Sequence, residues 1–593
     1  MTTKSTRSPR RRTVVALAVV LAVLGGFLVR LVDIQVVNAD EHIAQSMDKA
    51  LGATRTLYGT RGSIVDETGQ TLAGSILQYD CQLDPLLVTQ IDAAIANGKS
   101  EDEPWAAVSL DIAAVTGQTV EVVQKIVADA LAENDKSRYA KLATGLSTEQ
   151  YRDLADIDVP YLACVPHPAR TYPDGAVAGN LVGFMGVDGD ALEGLEMTEE
   201  SCLEATDGTL AFQKGKDGVV IPGTEIEDPA TDGGTLELTI NRDLQWYLQQ
   251  LIAEQTQDQG AQSGAIMVVE VATGKIRAAA EYPTVDPNNV DASLKDDRGS
   301  RIFRGTFEPG STFKALTAAT VIDAGGQTAT STVIASSTET FANGARVRDA
   351  FVHPAYEYTL AGVLIDSSNA GISKFSERAD VATRYDYLKR FGIGDGSAVG
   401  FPGEEAGDLG PLDRDNQTIY NTSYGQGLTT TMPELAGAYA AIANGGVRMP
   451  LSLVESCTRA DGTVVEPTLP DPVQVVSADT SAQMRQILEN VALQANYAKQ
   501  IQIPGYRFGV KTGTGEKSDG NGGYKAGAYF TTMVGFAPAE APAYVVVVTL
   551  DEPTRVKSSA ANAPAFQKAM TQVMKTYRVM PSTTPPTLLP KFG

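Results

Sequence analysis

Histidine is nearly absent. His42, His167 and His353 are the only three in 593 residues, and no two of them stand at metal-ligand spacing. A histidine-built metal centre is therefore not expected, and a serine nucleophile would need a base other than histidine. A basic surface is missing too: 48 lysines and arginines face 72 acids, a net charge of −24, which excludes a nucleic-acid binder that relies on general positive potential. What is present is 43% hydrophobic and 20% charged residues with 56 glycines. That is the composition of a globular chain with a large core, neither disordered throughout nor threaded many times through a membrane. At about 150 residues per unit the length suggests roughly four domains, and two large ones fit equally well. Cysteine is scarce, at Cys81, Cys164, Cys202 and Cys457. Three pairings are open in an oxidising compartment, with Cys164 to Cys202 the expected bond and four unpaired small core residues the alternative.

The charge that is positive is unevenly placed. Residues 1–12 hold Lys4, Arg7, Arg10, Arg11 and Arg12 and no acid, and residues 13–29 are uncharged and strongly apolar. Arg30 can snorkel while Leu31 and Val32 extend the run, so a single span over 13–32 is expected, with the basic tail 1–12 in the cytoplasm and the rest outside. A cleaved signal sequence is the alternative, with a small-residue pattern at Val37-Asn38-Ala39. Arg30 and Asp33 stand between the apolar run and that site, which favours a retained anchor.

Residues 40–225 mix strand-like and helical pieces, with helical periodicity at 120–133 and 148–154 and no catalytic cluster. The stretch 208–234 is rich in Gly, Asp, Thr and Pro and reads as a boundary. A second domain is expected over 235–578. Its strand signals lie at both ends, at 263–270, 275–282, 507–514, 528–536 and 543–551, with helices at 311–324 and 432–443 between them. One antiparallel sheet assembled from the two ends of an α+β domain follows. Residues 581–593 are Pro- and Thr-rich and read as a disordered tail.

Three short motifs carry chemistry. In Ser311-Thr312-Phe313-Lys314, just past a Pro309-Gly310 turn, i, i+3 spacing puts serine and lysine on one helix face. A desolvated lysine near another cation has a lowered pKa and can take the serine proton, and the helix start adds positive potential near a developing oxyanion. Ser46-Met47-Asp48-Lys49 has the same spacing and is expected to be a solvated face. Ser367-Ser368-Asn369 offers a hydroxyl to relay a proton and an amide to hold a carbonyl, or simply a helix cap. In Lys511-Thr512-Gly513-Thr514 a cation and two hydroxyls suit a substrate carboxylate lying along a strand edge, with Gly513 leaving room for a peptide. An edge strand blunted by lysine is the plainer reading.

In this order the three motifs resemble the signature set of penicillin-binding proteins and class A β-lactamases. The chain is similar to class B penicillin-binding proteins in further blocks as well: Arg61-Gly62-Ser63-Ile64-Val65-Asp66, Arg170-Thr171-Tyr172-Pro173 and Gly194-Leu195-Glu196 ahead of the motifs, and Gly400-Phe401-Pro402-Gly403-Glu404, Tyr424-Gly425-Gln426-Gly427 and Ala443-Asn444-Gly445-Gly446 among them. The run 529–538 resembles division-septum members most, with an elongation type the alternative. The resemblance implies a membrane-anchored peptidoglycan D,D-transpeptidase with a non-catalytic pedestal over 40–225 and a five-stranded antiparallel sheet flanked by helices in the transpeptidase domain. It implies Ser311, Lys314, Ser367 and Lys511 as catalytic residues and Asn369, Thr512, Gly513 and Thr514 as substrate-binding ones, with the backbone N–H groups of Ser311 and Thr514 as oxyanion hole. No metal and no organic cofactor are implied. The implied partners are D-Ala-D-Ala stem peptides, β-lactams as covalent inhibitors, a polytopic glycosyltransferase and other division proteins. Competing readings are a β-lactamase or D,D-carboxypeptidase, a penicillin-sensing receptor, and a septal scaffold.

Overall fold

The computed structural model describes residues 9–33, 52–214, 219–521 and 523–593. The start of the basic tail, the Ser46–Lys49 spacing and the candidate cleavage site at 37–39 lie outside them. The described residues divide into two compact units, Met1–Thr60 with Ala205–Asp232 and Arg61–Glu204 with Gly233–Gly593.

Among the described residues the first unit holds one helix, Pro9–Val32, whose segment Thr13–Val32 has a mean hydropathy of 2.6 and is nowhere buried against protein. Twenty residues at about 1.5 Å rise reach roughly 30 Å, the thickness of a hydrocarbon core. Arg30 at its end pairs with Asp33. The same unit contains a three-stranded antiparallel sheet in the order Gly52–Leu57, Gly208–Gln213, Ile226–Asp228.

In the second unit a seven-stranded mixed sheet runs Val464–Val465, Val454–Thr458, Thr235–Leu238, Ile64–Val65, Thr71–Leu83, Ala140–Leu146, with Leu162–Thr171 also paired to Thr71–Leu83. Along Thr71–Leu83 every second residue from Tyr79 is buried, the period a strand requires. Tyr79, Cys81 and Leu83 meet Val108, Ile112, Val123, Val127 and Leu154 from the helices Trp105–Thr116, Val120–Glu133 and Thr148–Asp156 in a core of their own. Each of the last two helices starts where its sequence supplies a cap. The Thr119 hydroxyl accepts from Val122 N–H, and Ser147 and Gln150 form a capping box.

Thr235–Leu238 pairs in parallel with Ile64–Val65 and antiparallel with Val454–Thr458, so a segment from deep in the later chain completes the earlier sheet. The three blocks around Arg61, Arg170 and Glu196 also converge. The Glu196 carboxylate is fully buried, with Arg61 Nε at 2.8 Å, Arg170 Nε at 2.6 Å and the Tyr172 hydroxyl at 3.2 Å. A buried carboxylate is tolerable because two guanidinium groups neutralise it. The cysteines pair as Cys81–Cys164 and Cys202–Cys457, which corrects the expected Cys164–Cys202 bond. The physical reason is register: Cys81 and Cys164 face each other across two antiparallel strands.

A five-stranded sheet in the same unit is antiparallel throughout, in the order Ile276–Tyr282, Ser263–Glu270, Tyr544–Asp551, Tyr524–Ala537, Gly509–Ser518. The two ends of the domain supply it, as the strand signals predict. Seven of the eight residues in the central strand Tyr544–Asp551 are buried, so both its faces are covered, and its unbroken valines follow from that. The helices Arg242–Gln259, Ala563–Thr576, Met432–Ala443 and Ala478–Gln494 do the covering. Residues 581–593 are not disordered. Asn490 and Gln494 hydrogen-bond the backbone of residues 587 and 589, and Tyr358 bridges Phe592. The composition is polar, but the backbone finds fixed partners that a pattern reading could not supply.

Candidate active site

Ser311 sits in a single 3₁₀ turn, Gly310–Phe313, ahead of the helix Lys314–Asp323, rather than inside the α-helix the sequence suggests. Gly310 has φ +56°, and a Cβ there would lie 2.5 Å from the Thr514 carbonyl oxygen and 3.0 Å from its nitrogen. Only glycine permits that turn against that strand. The Gly310 N–H donates to Gly425 O at 3.0 Å, the buried Tyr439 hydroxyl donates to Thr312 O at 2.7 Å, and Gly427 N–H donates to the Glu308 carboxylate at 3.0 Å. The serine turn is thus fixed from three sides before any ligand arrives.

Lys314 is the first residue of the helix proper and is completely buried. Its Nζ lies 2.8 Å from Ser311 Oγ, 2.7 Å from the Ser367 carbonyl oxygen and 3.1 Å from Ser367 Oγ. Ser367 ends the helix Leu360–Asp366 in the left-handed conformation, φ 57°, ψ 38°. Ser368 takes the cap role, its hydroxyl accepting from Gly371 N–H at 2.8 Å and donating to Asp349 at 2.7 Å. Two adjacent serines therefore divide two jobs: Ser368 holds the backbone and Ser367 faces the lysines.

Lys511 lies on the edge strand Gly509–Ser518, 1% exposed, with Nζ 3.0 Å from Ser367 Oγ. One hydroxyl thus stands between two buried amines. Burial pulls the Lys314 ammonium well below the ordinary lysine value, Lys511 pushes it the same way, and Asp349 opposes. Burial alone brings Lys511 down to about 7. A neutral Lys314 has two N–H bonds for the two oxygens of Ser367 and a lone pair for Ser311 Oγ–H, which satisfies all three short contacts.

The remaining expected site residues surround this chain. Asn369 opens the next helix and donates to Arg348 O at 3.1 Å. The Thr512 hydroxyl is 3.5 Å from the Tyr497 hydroxyl, and that of Thr514 accepts from Ser559 N–H at 3.2 Å, leaving its own proton to donate. Gly513 serves a contact the sequence reading did not anticipate. A Cβ there would lie 2.4 Å from the Pro309 carbonyl oxygen, so the glycine lets the strand rest on the serine turn. Sequence reasoning also missed Asp349 and Tyr439. Asp349 binds His353 at 2.8 Å, Ser368 at 2.7 Å and Ala370 N–H at 2.9 Å, pinning the start of the Ser368–Asn369 turn. It belongs to no motif, and Tyr439 lies in a helix that reads as plain core.

Residues 264–571 match the family described as the penicillin binding protein transpeptidase domain, and residues 56–238 match the penicillin-binding protein dimerisation domain. The chain is 32% identical to penicillin-binding protein PbpB of Mycobacterium tuberculosis, over 96% of this chain and 86% of that one. It is 28% identical to peptidoglycan D,D-transpeptidase FtsI of Escherichia coli, over 95% and 91%. The crystal structure of penicillin binding protein 3 from Mycobacterium tuberculosis complexed with aztreonam superposes with a TM-score of 0.69 at 28% identity, over 90% of this chain and 99% of that chain.

Proposed function

The chain belongs to the class B penicillin-binding proteins, and on that premise we propose that it is a membrane-anchored peptidoglycan D,D-transpeptidase of the division septum, working through an acyl-enzyme on Ser311. The observation that carries this reading is the unbroken line of short contacts from Ser311 through Lys314 and Ser367 to Lys511. Neutral Lys314 takes the Ser311 proton as Oγ attacks the carbonyl carbon of the penultimate D-Ala of a stem peptide. The oxyanion that forms is met by the N–H groups of Ser311 and Thr514, a role supported by the close approach of the Gly310 turn to Thr514. The C–N bond then breaks, and the departing D-Ala amine receives its proton from Ser367, which is resupplied from the two lysines.

The amine of a neighbouring stem peptide next attacks the acyl carbon. It gives up a proton along the same path, and Ser311 leaves as the alcohol, so the product is a cross-link rather than a hydrolysed peptide. Lys511 with the hydroxyls of Thr512 and Thr514 holds the terminal carboxylate, and Asn369 orients the donor peptide. A β-lactam enters the same path because its carboxylate and strained amide occupy the same positions. Residues 40–225 serve as pedestal and 235–578 as transpeptidase domain. Lys4, Arg7, Arg10, Arg11 and Arg12 ahead of the apolar run 13–32 support a cytoplasmic N-terminus with the enzyme outside. A polytopic glycosyltransferase supplies glycan strands and meets the helix and pedestal.

The test is intact-mass and peptide mapping after incubation with benzylpenicillin. Wild type is expected to carry one stable adduct on Ser311, and Ser311→Ala none with its fold intact. Labelling of Ser311→Ala at the wild-type level removes that serine from the mechanism, and rapid release of penicilloate makes the protein a hydrolase instead.

A further inference from the structure

The segment 587–593 belongs to none of the motifs used above, yet it is laid along the helix Leu360–Asp366, the one that ends at Ser367. At the start of that helix Thr359 N–H donates to Lys591 O at 3.0 Å and its hydroxyl to Pro590 O at 2.6 Å. One turn on, a Cβ at Gly362 would lie 1.9 Å from the Lys591 carbonyl oxygen, so the two backbones touch. At the end of the helix Lys591 Nζ lies 2.5 Å from the Asp366 carboxylate, which also accepts from the Tyr358 hydroxyl at 3.3 Å. The Phe592 ring packs beside those of Tyr356 and Tyr358, at 4.9 and 5.2 Å. The other side of the segment is held by Asn490, which donates to Thr587 O and accepts from Leu589 N–H, both at 2.9 Å.

A segment that merely covered apolar surface would need no polar contacts at both ends of one short helix. Ser367 is a non-glycine residue in the left-handed region, a conformation that persists only where its flanks over-determine it. On the C-terminal side Asp349 fixes Ser368 and Ala370. On the N-terminal side the flank is Asp366, and its partners are Lys591 and Tyr358. We propose that residues 587–593 form a strap that positions Ser367, with the Lys591–Asp366 ion pair as its clasp. This inference rests on the reading of Ser367 as the proton carrier between Lys314 and Lys511. Lys591 touches neither substrate nor reacting atom; it is a positioning residue.

The full-length protein in detergent micelles, acylated by a fluorescent penicillin under stopped flow, separates the initial binding constant from the acylation step. Lys591→Met is expected to slow acylation about tenfold, the scale of a reacting group displaced by a fraction of an ångström. Binding stays within about twofold and the final yield at one adduct per chain. Phe592→Ala slows the same step, and Lys591→Arg restores it. Lys591→Met at the wild-type acylation rate, alongside a slow Ser367→Ala, overturns the strap. A loss of final yield in step with the rate in Lys591→Met and Phe592→Ala does the same, since it reports unfolded protein. A wild-type rate in Ser367→Ala instead overturns the reading beneath it.

Discussion

Two buried amines share one hydroxyl, and the chemistry of the site turns on which of them is charged. Two like charges so placed in a dry pocket oppose each other, so their titrations are coupled and the observed steps belong to the pair. For Lys314, burial first and Lys511 second push its proton off, against Asp349. Acylation by benzylpenicillin should therefore rise with pH as Lys314 is neutralised, with the rising limb well below the ordinary lysine range. Lys314→Arg should be slower by orders of magnitude throughout, because a guanidinium stays charged. A flat profile between about pH 5 and 9, or an active arginine variant, would sink the lysine base. Stability moves the same way. Lys511 releases its proton at about 7 when folded and about 10.4 when unfolded. Between those values the unfolded chain binds more protons, and stability rises with pH.

The serine turn and the edge strand are in direct backbone contact at Gly513. The sequence assigns this glycine to a passing peptide, whereas the fold uses it against Pro309. The two roles differ in what alanine would do. If only the ligand needed the space, Gly513→Ala would weaken binding and leave the acylation step and the melting temperature alone. With Pro309 O so close, the extra methyl instead forces the strand away from the serine turn. Overpacking of that kind costs about 1–3 kcal/mol. Both the acylation step and the melting temperature are expected to fall, as stopped-flow labelling and calorimetry would record; a change confined to binding contradicts this account.

Covalent and ionic links join distant parts of the second unit. Cys202–Cys457 closes a loop of 255 residues and ties the region following Glu196 to the strand Val454–Thr458. The long loop makes the cross-link restrict the unfolded chain strongly, and removing a native bond of this kind costs about 2–5 kcal/mol. Cys202→Ser with Cys457→Ser is expected to lower the unfolding midpoint in urea while the folded protein keeps its penicillin adduct. An unchanged midpoint, with thiol counting to confirm the loss of the bond, would show that the packing alone holds these parts. The buried Glu196, clamped by Arg61 and Arg170, joins parts of the chain more than a hundred residues apart, and only the folded chain brings them together.

Local chemistry was readable from the amino-acid order. The apolar run at 13–32, the helical periodicity at 120–133 and 148–154, the catalytic candidates Ser311 and Lys314 at i, i+3, and the strand signals at both ends of the larger domain each depend on residues near one another in the chain. Spacing and periodicity encode such features directly. The cysteine pairing, the completion of the earlier sheet by Val454–Thr458, the role of Asp349, the packing duty of Gly513 and the docking of 587–593 were decided only by tertiary structure. Each depends on residues brought together by register and packing after the chain has closed long loops. A local pattern carries no record of which distant backbone will arrive opposite it.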